Sequence, residues 1–503
     1  MPSELSELLS ERLWMVGAEP ALAFEGHWRS WSWLAHVACA IDTALTDAGI
    51  GQGQPIGLIA RNRPAHVAAM AALISTRRTT CMIYSAQSPA AMAAEVKGLS
   101  APALLADPQD WTDEVRAAAE AIGALGLAIS ADTAQRVEVV TPPSRSPGAH
   151  KPPAPDVAFE FLSSGTTGAP KRLPLTWVTV NAVVDGAATT YAGSGRRDAP
   201  LVMIHPLGNI AGMAYLAPAL AYGQPMVLLE RFTVEDWTRA VREHRPVRAA
   251  LPPAAVQMLL DAHASREDLS SLNLIAVGGA RIAPELQEAF EAAYGVPILT
   301  AFGATEFGGV IAHWSLEEYR RVGASKRGSA GRASAGAALR IVDPETFTAL
   351  GAGAVGLLEA QVDRIGPDWI RTNDLASLDA DGFLYLHGRA DAAINRGGFK
   401  VVPEVVSTAL RTHPAVADAV VIGLPDARLG EVPAAAVELR KGIDAPSPDA
   451  LKTWLRDRLL AYQVPVEIRI VEALPRNASM KVSMPETRRL FTPHPIPEAS
   501  ACG

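Results

Sequence analysis

Residues 163–171 read Ser-Ser-Gly-Thr-Thr-Gly-Ala-Pro-Lys, directly after the apolar run Val157–Leu162. Ser163, Ser164, Thr166 and Thr167 supply four hydroxyls, and Lys171 supplies a cation. Gly165 and Gly168 permit the positive-φ turns through which successive backbone N–H groups converge. Converging N–H groups form an anion nest, so this stretch has the chemistry to hold the triphosphate of a nucleotide. It is not a Walker A loop, because no Gly-Lys pair followed by Ser or Thr stands at the required distance from Gly165. The same composition also suits a solvated linker.

Ala301-Phe302-Gly303-Ala304-Thr305-Glu306 follows an expected strand end, and loops beyond strand carboxyl ends are where open α/β sheets bind ligands. Glu306 is an oxygen ligand of the kind Mg²⁺ prefers, Thr305 can hydrogen-bond a phosphate oxygen, and Phe302 offers a flat face to a purine. An ordinary strand–loop with an exposed glutamate would look the same. Gly278-Gly279-Ala280 ends another strand and lets a ligand lie against backbone, as would any tight strand–turn–helix link. Asp374 can accept two O–H donors at once, or simply occupy a turn. Lys481, taken alone, is a solvated charge.

These residues need elements to carry them. Helix-like and strand-like stretches alternate over Leu34–Ala48, Pro55–Ala60, the segment after Pro64, Thr80–Tyr84, the segment after Pro89, and Leu104-Leu105. That spacing predicts a mainly parallel sheet covered by helices, an α/β fold. Thr141–Pro155, rich in Pro, Ser and Gly, marks a junction. Further strands are expected at Leu201–Ile204, Met226–Leu229, Arg248–Leu251, Leu274–Val277 and Ile298–Thr300, making a second α/β subdomain. Gly328–Leu386 changes to short strands with Asp-Gly turns, a small barrel-like sheet. After Arg389 a compact α+β segment is expected, with helices Pro403–Arg411 and Leu451–Leu460 and strands Ala419–Gly423 and Ala435–Leu439.

A chain of 503 residues requires more than one core. Its net charge of −8 argues against general nucleic-acid binding, which needs basic stripes. Cys39, Cys81 and Cys502 are widely spaced, so neither a disulfide framework nor a zinc site is indicated. No leader pattern and no apolar run of membrane-spanning length is evident, so a cytoplasmic location is expected.

Taken together, SSGTTGAPK, the run through Glu306, and three later motifs resemble the acyl-adenylate-forming superfamily of acyl-CoA synthetases, peptide-synthetase adenylation domains and luciferases. The later motifs are Arg371-Thr372-Asn373-Asp374, the junction Gly388-Arg389-Ala390-Asp391 with Asn395–Val401, and Leu474–Lys481. The resemblance covers nearly the whole chain. It implies a large N-terminal domain, 1–388, holding ATP and the acid, and a mobile C-terminal lid domain, 389–503, carrying a catalytic lysine at Lys481. By the same resemblance ATP is bound by Ser163–Gly168, Lys171, Gly279, Ala280, Ala301, Phe302, Gly303, Asp374 and Arg389. Asp374 would take the ribose hydroxyls, Thr305 and Glu306 would act in catalysis, and Glu306 would hold Mg²⁺. Asp391 would be the hinge, Gly397 and Gly398 would let the coenzyme A arm pass, and Asn209, Gly278, Gly303 and Ala304 would line the acid pocket.

Four positions depart from the family pattern. Asn373 stands for a glycine, Met480 stands for a glycine, and in Pro206–Gly212 Asn209 and Gly208 replace a histidine and an aromatic residue. The last pair implies altered acid or acceptor specificity. With no carrier domain after Lys481, a diffusible acceptor is expected. The first expectation is therefore an AMP-forming ligase joining an aromatic or medium-chain acid to coenzyme A, with a homodimer left open as its assembly. The alternatives are an amide synthetase that uses an amine, and a nucleotide-binding relative with a degraded site. Retention of Thr166, Lys171, Glu306, Asp374, Arg389 and Lys481 argues against the last.

Overall fold

The computed structural model describes residues 4–15, 17–131, 136–145, 149–162, 172–191, 199–397, 399–440, 442–477 and 480–491. The chain divides into two compact units. The first comprises residues 1–339, 359–370 and 381–384, and the second 340–358, 371–380 and 385–503.

In the first unit, Pro55–Ala60 is buried at all six positions, as a strand covered on both faces must be. It lies in a seven-stranded sheet of order Val137–Thr141, Leu125–Ile129, Ala103–Ala106, Pro55–Ala60, Thr79–Tyr84, Val157–Leu162, Arg172–Thr176. The central five strands are parallel and the two edges antiparallel. Helix Pro64–Ser75 is buried from Pro64 to Ile74, and apart from His66 its buried residues are apolar, as a helix packed on all sides requires. Proline in the first turn opens it and also helix Pro89–Leu99, which Ser88 caps by accepting from the Ala91 N–H.

The strands expected between residues 201 and 300 all form, but in two sheets. Leu201–Met203 and Met226–Leu228 join Pro20–Phe24 in parallel, and His27–Ser30 completes that sheet as a hairpin strand. Arg248–Leu251, Leu274–Val277 and Ile298–Ala304 run parallel in the other, extended antiparallel by Gly309–His313 and Arg332–Ala333. One buried core runs from Leu5 and Leu9 through Trp31 and Phe159 to Leu216 and Leu228, so the first two sheets share it. Asn62 links them, accepting from the Leu207 N–H at 2.9 Å and donating to the carbonyls of His205 and Leu229 at 3.0 and 3.2 Å.

Residues 337–389 form the expected small sheet, of order Ala337–Val342, Gly356–Val362, Gly366–Leu378, Leu384–Arg389. In the second unit Gly430–Leu439 pairs with Val416–Asp426 and Ile394–Arg396, and in parallel with Glu467–Val471. Helix Pro403–Arg411 has its expected bounds. The helix expected over Leu451–Leu460 is instead Pro448–Arg456, because Ser447 caps it by accepting from the Ala450 N–H and Pro448 opens it. Among the described residues no helix is long and apolar enough to cross a membrane.

Candidate active site

In the first unit, strand Leu274–Val277 runs parallel to Ile298–Ala304 with Val277 opposite Thr300. The turn Gly278–Ala280 and the stretch Ala301–Glu306 therefore leave the same carboxyl edge. A Cβ on Gly278 would stand 3.6 Å from the Ala301 carbonyl oxygen, an ordinary contact. Gly279 has φ of 79°, where glycine carries no penalty. Thr305 begins a short 3₁₀ turn, Thr305–Phe307, closed by Gly308 donating to the Thr305 carbonyl at 3.0 Å. Phe307 is fully buried and anchors the turn with Ile311, Ala360 and Val362, and Phe302 and Ala304 pack on that cluster. Glu306 is exposed on the same turn.

Gly303 is explained by its neighbours. Any Cβ there would come within 2.3 Å of the Gly309 carbonyl oxygen and 2.6 Å of Val310 Cα, where the pairing of Ile298–Ala304 with Gly309–His313 shifts register. The missing side chain gives space to the facing strand's backbone, a reason not legible in the sequence.

Asn209 has a local structural task as well. It is the N-cap of helix Ile210–Tyr222 and accepts from the Gly212 N–H at 2.8 Å. Gly212 is required because a Cβ would lie 2.1 Å from the Pro206 carbonyl oxygen. Position 208 faces Ala60 and Tyr84, with a Cβ falling 3.6 and 3.8 Å from their side chains. His205 stacks flat on Tyr215 at 5.0 Å, and burial pushes the Tyr215 hydroxyl up to about 12.

In the second unit the structure brings Asp374 and Arg389 together from strands Gly366–Leu378 and Leu384–Arg389. Arg389 Nη1 lies 3.9 Å from Asp374 Oδ1. The same guanidinium grips Asp391 with two hydrogen bonds, at 2.9 and 2.7 Å. Asn373 also donates to Asp391 Oδ2 at 3.0 Å, so the residue standing for glycine bonds the residue expected to be the hinge. Gly397 has φ of 57° and donates to the Leu429 carbonyl at 2.8 Å.

The Lys481 loop is a tight turn. Met480 adopts φ of 60°, the left-handed conformation a glycine would take there. Asn477 accepts from Met480 N–H through its carbonyl and from Lys481 N–H through Oδ1, at 2.8 and 3.0 Å. A methionine is thus held in a region that a glycine would occupy without strain. Lys481 is an exposed residue, yet desolvation by the surrounding protein lowers its ammonium pKa from the ordinary lysine value. Met480→Gly should relieve about 1–2 kcal/mol of left-handed strain and return about 0.4–1 kcal/mol to unfolded-chain entropy. The variant is therefore expected to gain about 0.5–1 kcal/mol, read as a higher urea midpoint with unchanged slope.

Ser163, Ser164, Gly165, Thr166, Thr167, Gly168, Lys171 and Gly398 lie outside the described residues. Gly278–Ala280, Ala301–Glu306 and Asn209 belong to the first unit, and Asp374, Arg389, Asp391, Gly397 and Lys481 to the second. Sequence reasoning passed over Asn62, Asp418 and Arg476, whose types carry no chemical signature apart from the partners the fold gives them.

Residues 406–481 match the AMP-binding enzyme C-terminal domain, ending on Lys481. The chain is similar to peroxisomal OPC-8:0-CoA ligase 1 of Arabidopsis thaliana, 30% identical over 359 residues that cover 67% of this chain and 64% of that protein. It is 29% identical to 4-coumarate–CoA ligase-like 5 of Oryza sativa subsp. japonica over 65% of this chain and 61% of that protein. The matches thus span less than two thirds of these relatives' length. The fold matches ATP-bound MatB from Rhodopseudomonas palustris at a TM-score of 0.83 and 19% identity, covering 98% of this chain and 99% of that one. It also matches amide bond synthetase McbA from Marinactinospora thermotolerans at 0.79 and 24% identity, covering 97% and 100%. Residues 15–360, well over half of the 503, match the AMP-binding enzyme family itself, so the chain belongs to that acyl-adenylate-forming family.

Proposed function

We propose that the chain is an AMP-forming acid–thiol ligase, which activates an aromatic or medium-chain carboxylic acid with ATP and passes the acyl group to coenzyme A. The observation that carries the nucleotide half is Asp374 beside Arg389, a carboxylate able to accept ribose hydroxyls next to a fixed cation. The acceptor half rests on relatives named as CoA ligases.

In the first step a carboxylate oxygen of the acid bonds to the α-phosphorus of ATP, and the bond to pyrophosphate breaks. Two anions must approach, and Lys481 would offset their repulsion from between carboxylate and phosphate. Residues 163–171 would hold the departing pyrophosphate. Among the described residues no group of three or more His, Cys, Asp and Glu stands ready for a metal. An exposed Glu306 fits Mg²⁺ nonetheless, because that ion is held by one or two carboxylates with substrate phosphates. Glu306 would hold it there, where the ion supplies positive charge to the triphosphate. In the second step the coenzyme A sulfur, as thiolate, bonds to the acyl carbonyl carbon and AMP leaves. Residues 389–503 would turn about Asp391 between the steps, withdrawing Lys481 and presenting Gly397 and Gly398. Asn209, Gly278 and Ala304 would face the acid, while the space at Gly303 is taken by the backbone of the facing strand. A cytoplasmic setting suits the supply of ATP and coenzyme A.

The test is a panel of acetate, octanoate, benzoate and 4-coumarate with ATP, Mg²⁺ and either coenzyme A or an amine, following AMP and product. Thioester and AMP from 4-coumarate, benzoate or octanoate are expected. Turnover of acetate alone would overturn the acid class, and AMP release only with amines would replace the thiol by an amine acceptor.

A further inference from the structure

Both ends of the peptide that joins Met480 to Lys481 are held by side chains. Arg476 Nη1 donates to its carbonyl oxygen at 3.2 Å, and Asn477 Oδ1 accepts from its N–H at 3.0 Å. Asn477 N–H donates in turn to the Lys481 carbonyl at 2.8 Å, and Arg476 bridges to Val482 across the same narrow turn. Arg476 is itself braced. Its Nη2 donates to Asp418 Oδ2 at 2.6 Å. Asp418 follows a register shift in strand Val416–Asp426, and its other oxygen accepts from Arg411 Nε at 2.9 Å and from the Ala419 N–H at 2.8 Å. Arg411 is fixed in helix Pro403–Arg411 by bonds to Glu404 and to the Ala419 carbonyl, both at 2.9 Å. A line of charged groups thus runs from that helix to the one peptide plane that sets where the Lys481 side chain departs.

We infer that Arg476, braced by Asp418, is a positioning residue for Lys481. It clamps the carbonyl of a residue that is not glycine yet holds φ of 60°. Without the clamp, Met480 relaxes toward ordinary φ and rotates the following peptide. A planar guanidinium suits this task because one edge meets a carboxylate while another nitrogen reaches a carbonyl, a geometry lysine lacks. The inference rests on the role proposed above for Lys481.

The experiment separates the half-reactions in the full-length chain, using the fastest acid among acetate, octanoate, benzoate and 4-coumarate. Exchange of labelled pyrophosphate into ATP reads adenylation, and thioester formation from the supplied acyl-adenylate reads the second step. Arg476→Ala is expected to lower exchange about 10- to 100-fold, the scale of a small misplacement of a catalytic group, with thioester formation little changed. Arg476→Lys should not restore exchange. Adding Met480→Gly to Arg476→Ala should recover about fivefold or more, because glycine holds the turn without the clamp. Equal losses in both half-reactions, exchange retained in Arg476→Ala, or no recovery with the added glycine would overturn the inference. Lys481→Ala run alongside tells the two failures apart. If it keeps exchange, the role of Lys481 falls; if it loses exchange while Arg476→Ala keeps it, only the clamp falls.

Discussion

Lys481→Ala will cut adenylation by about 10²–10³-fold, the scale of losing one preorganised charge at a reacting centre. Thioester formation from supplied acyl-adenylate should stay within about threefold, because that step needs no cation between two anions. The pH dependence follows from the same charge. Only the ammonium form can offset the repulsion, so adenylation is lost as pH rises through the Lys481 pKa. Desolvation lowers that pKa, so the alkaline decline should begin below the ordinary lysine value of 10.5. Lys481→Arg, charged at every accessible pH, should move the decline upward even where its different shape slows the reaction. Pyrophosphate exchange measured across pH checks both points. A decline unmoved by arginine would assign the titration to another group, and equal losses in both half-reactions would remove Lys481 from the first step.

Much of the fold was legible because the chain announces it locally. Pro64, Pro89 and Pro403 each open a helix in its first turn, and Pro55–Ala60 is a strand with no polar residue to mislead. What could not be read was pairing across distance. Pro20–Phe24 carries no sign that it lies beside Met226–Leu228, some two hundred residues on, because a parallel strand's partner is chosen by the core it closes. The site shows the same division. Asp374 and Arg389 were identifiable by motif, and the structure sets them side by side. Asn209, Gly303 and Met480 were readable only as departures or small residues. Their reasons are a helix cap, a backbone pressed close and a strained turn, all set by neighbours.

Gly303→Ala and Gly278→Ala, two substitutions alike on paper, should behave oppositely. At 303 the added methyl meets the Gly309 carbonyl oxygen at 2.3 Å and Val310 Cα at 2.6 Å. Both are backbone of the paired strand, so no side chain can swing away and the hairpin itself must open. Overpacking costs about 1–3 kcal/mol, and contact with backbone places this case at the upper end. The turn Thr305–Phe307 hangs from that hairpin, so Thr305 and Glu306 move with it and adenylation of every acid should fall together. At 278 the methyl finds only the Ala301 carbonyl oxygen at 3.6 Å, and the residue is free of positive φ. Stability there should change by about 0.5 kcal/mol or less. If Gly278 faces the acid, as proposed, its effect will show as a shift in preference between benzoate and octanoate. Urea midpoints and the acid panel, measured on both variants, decide the matter. A Gly303→Ala protein of unchanged midpoint that merely prefers smaller acids would mean that this glycine makes room for substrate, and the facing strand yields more readily than its backbone contacts imply.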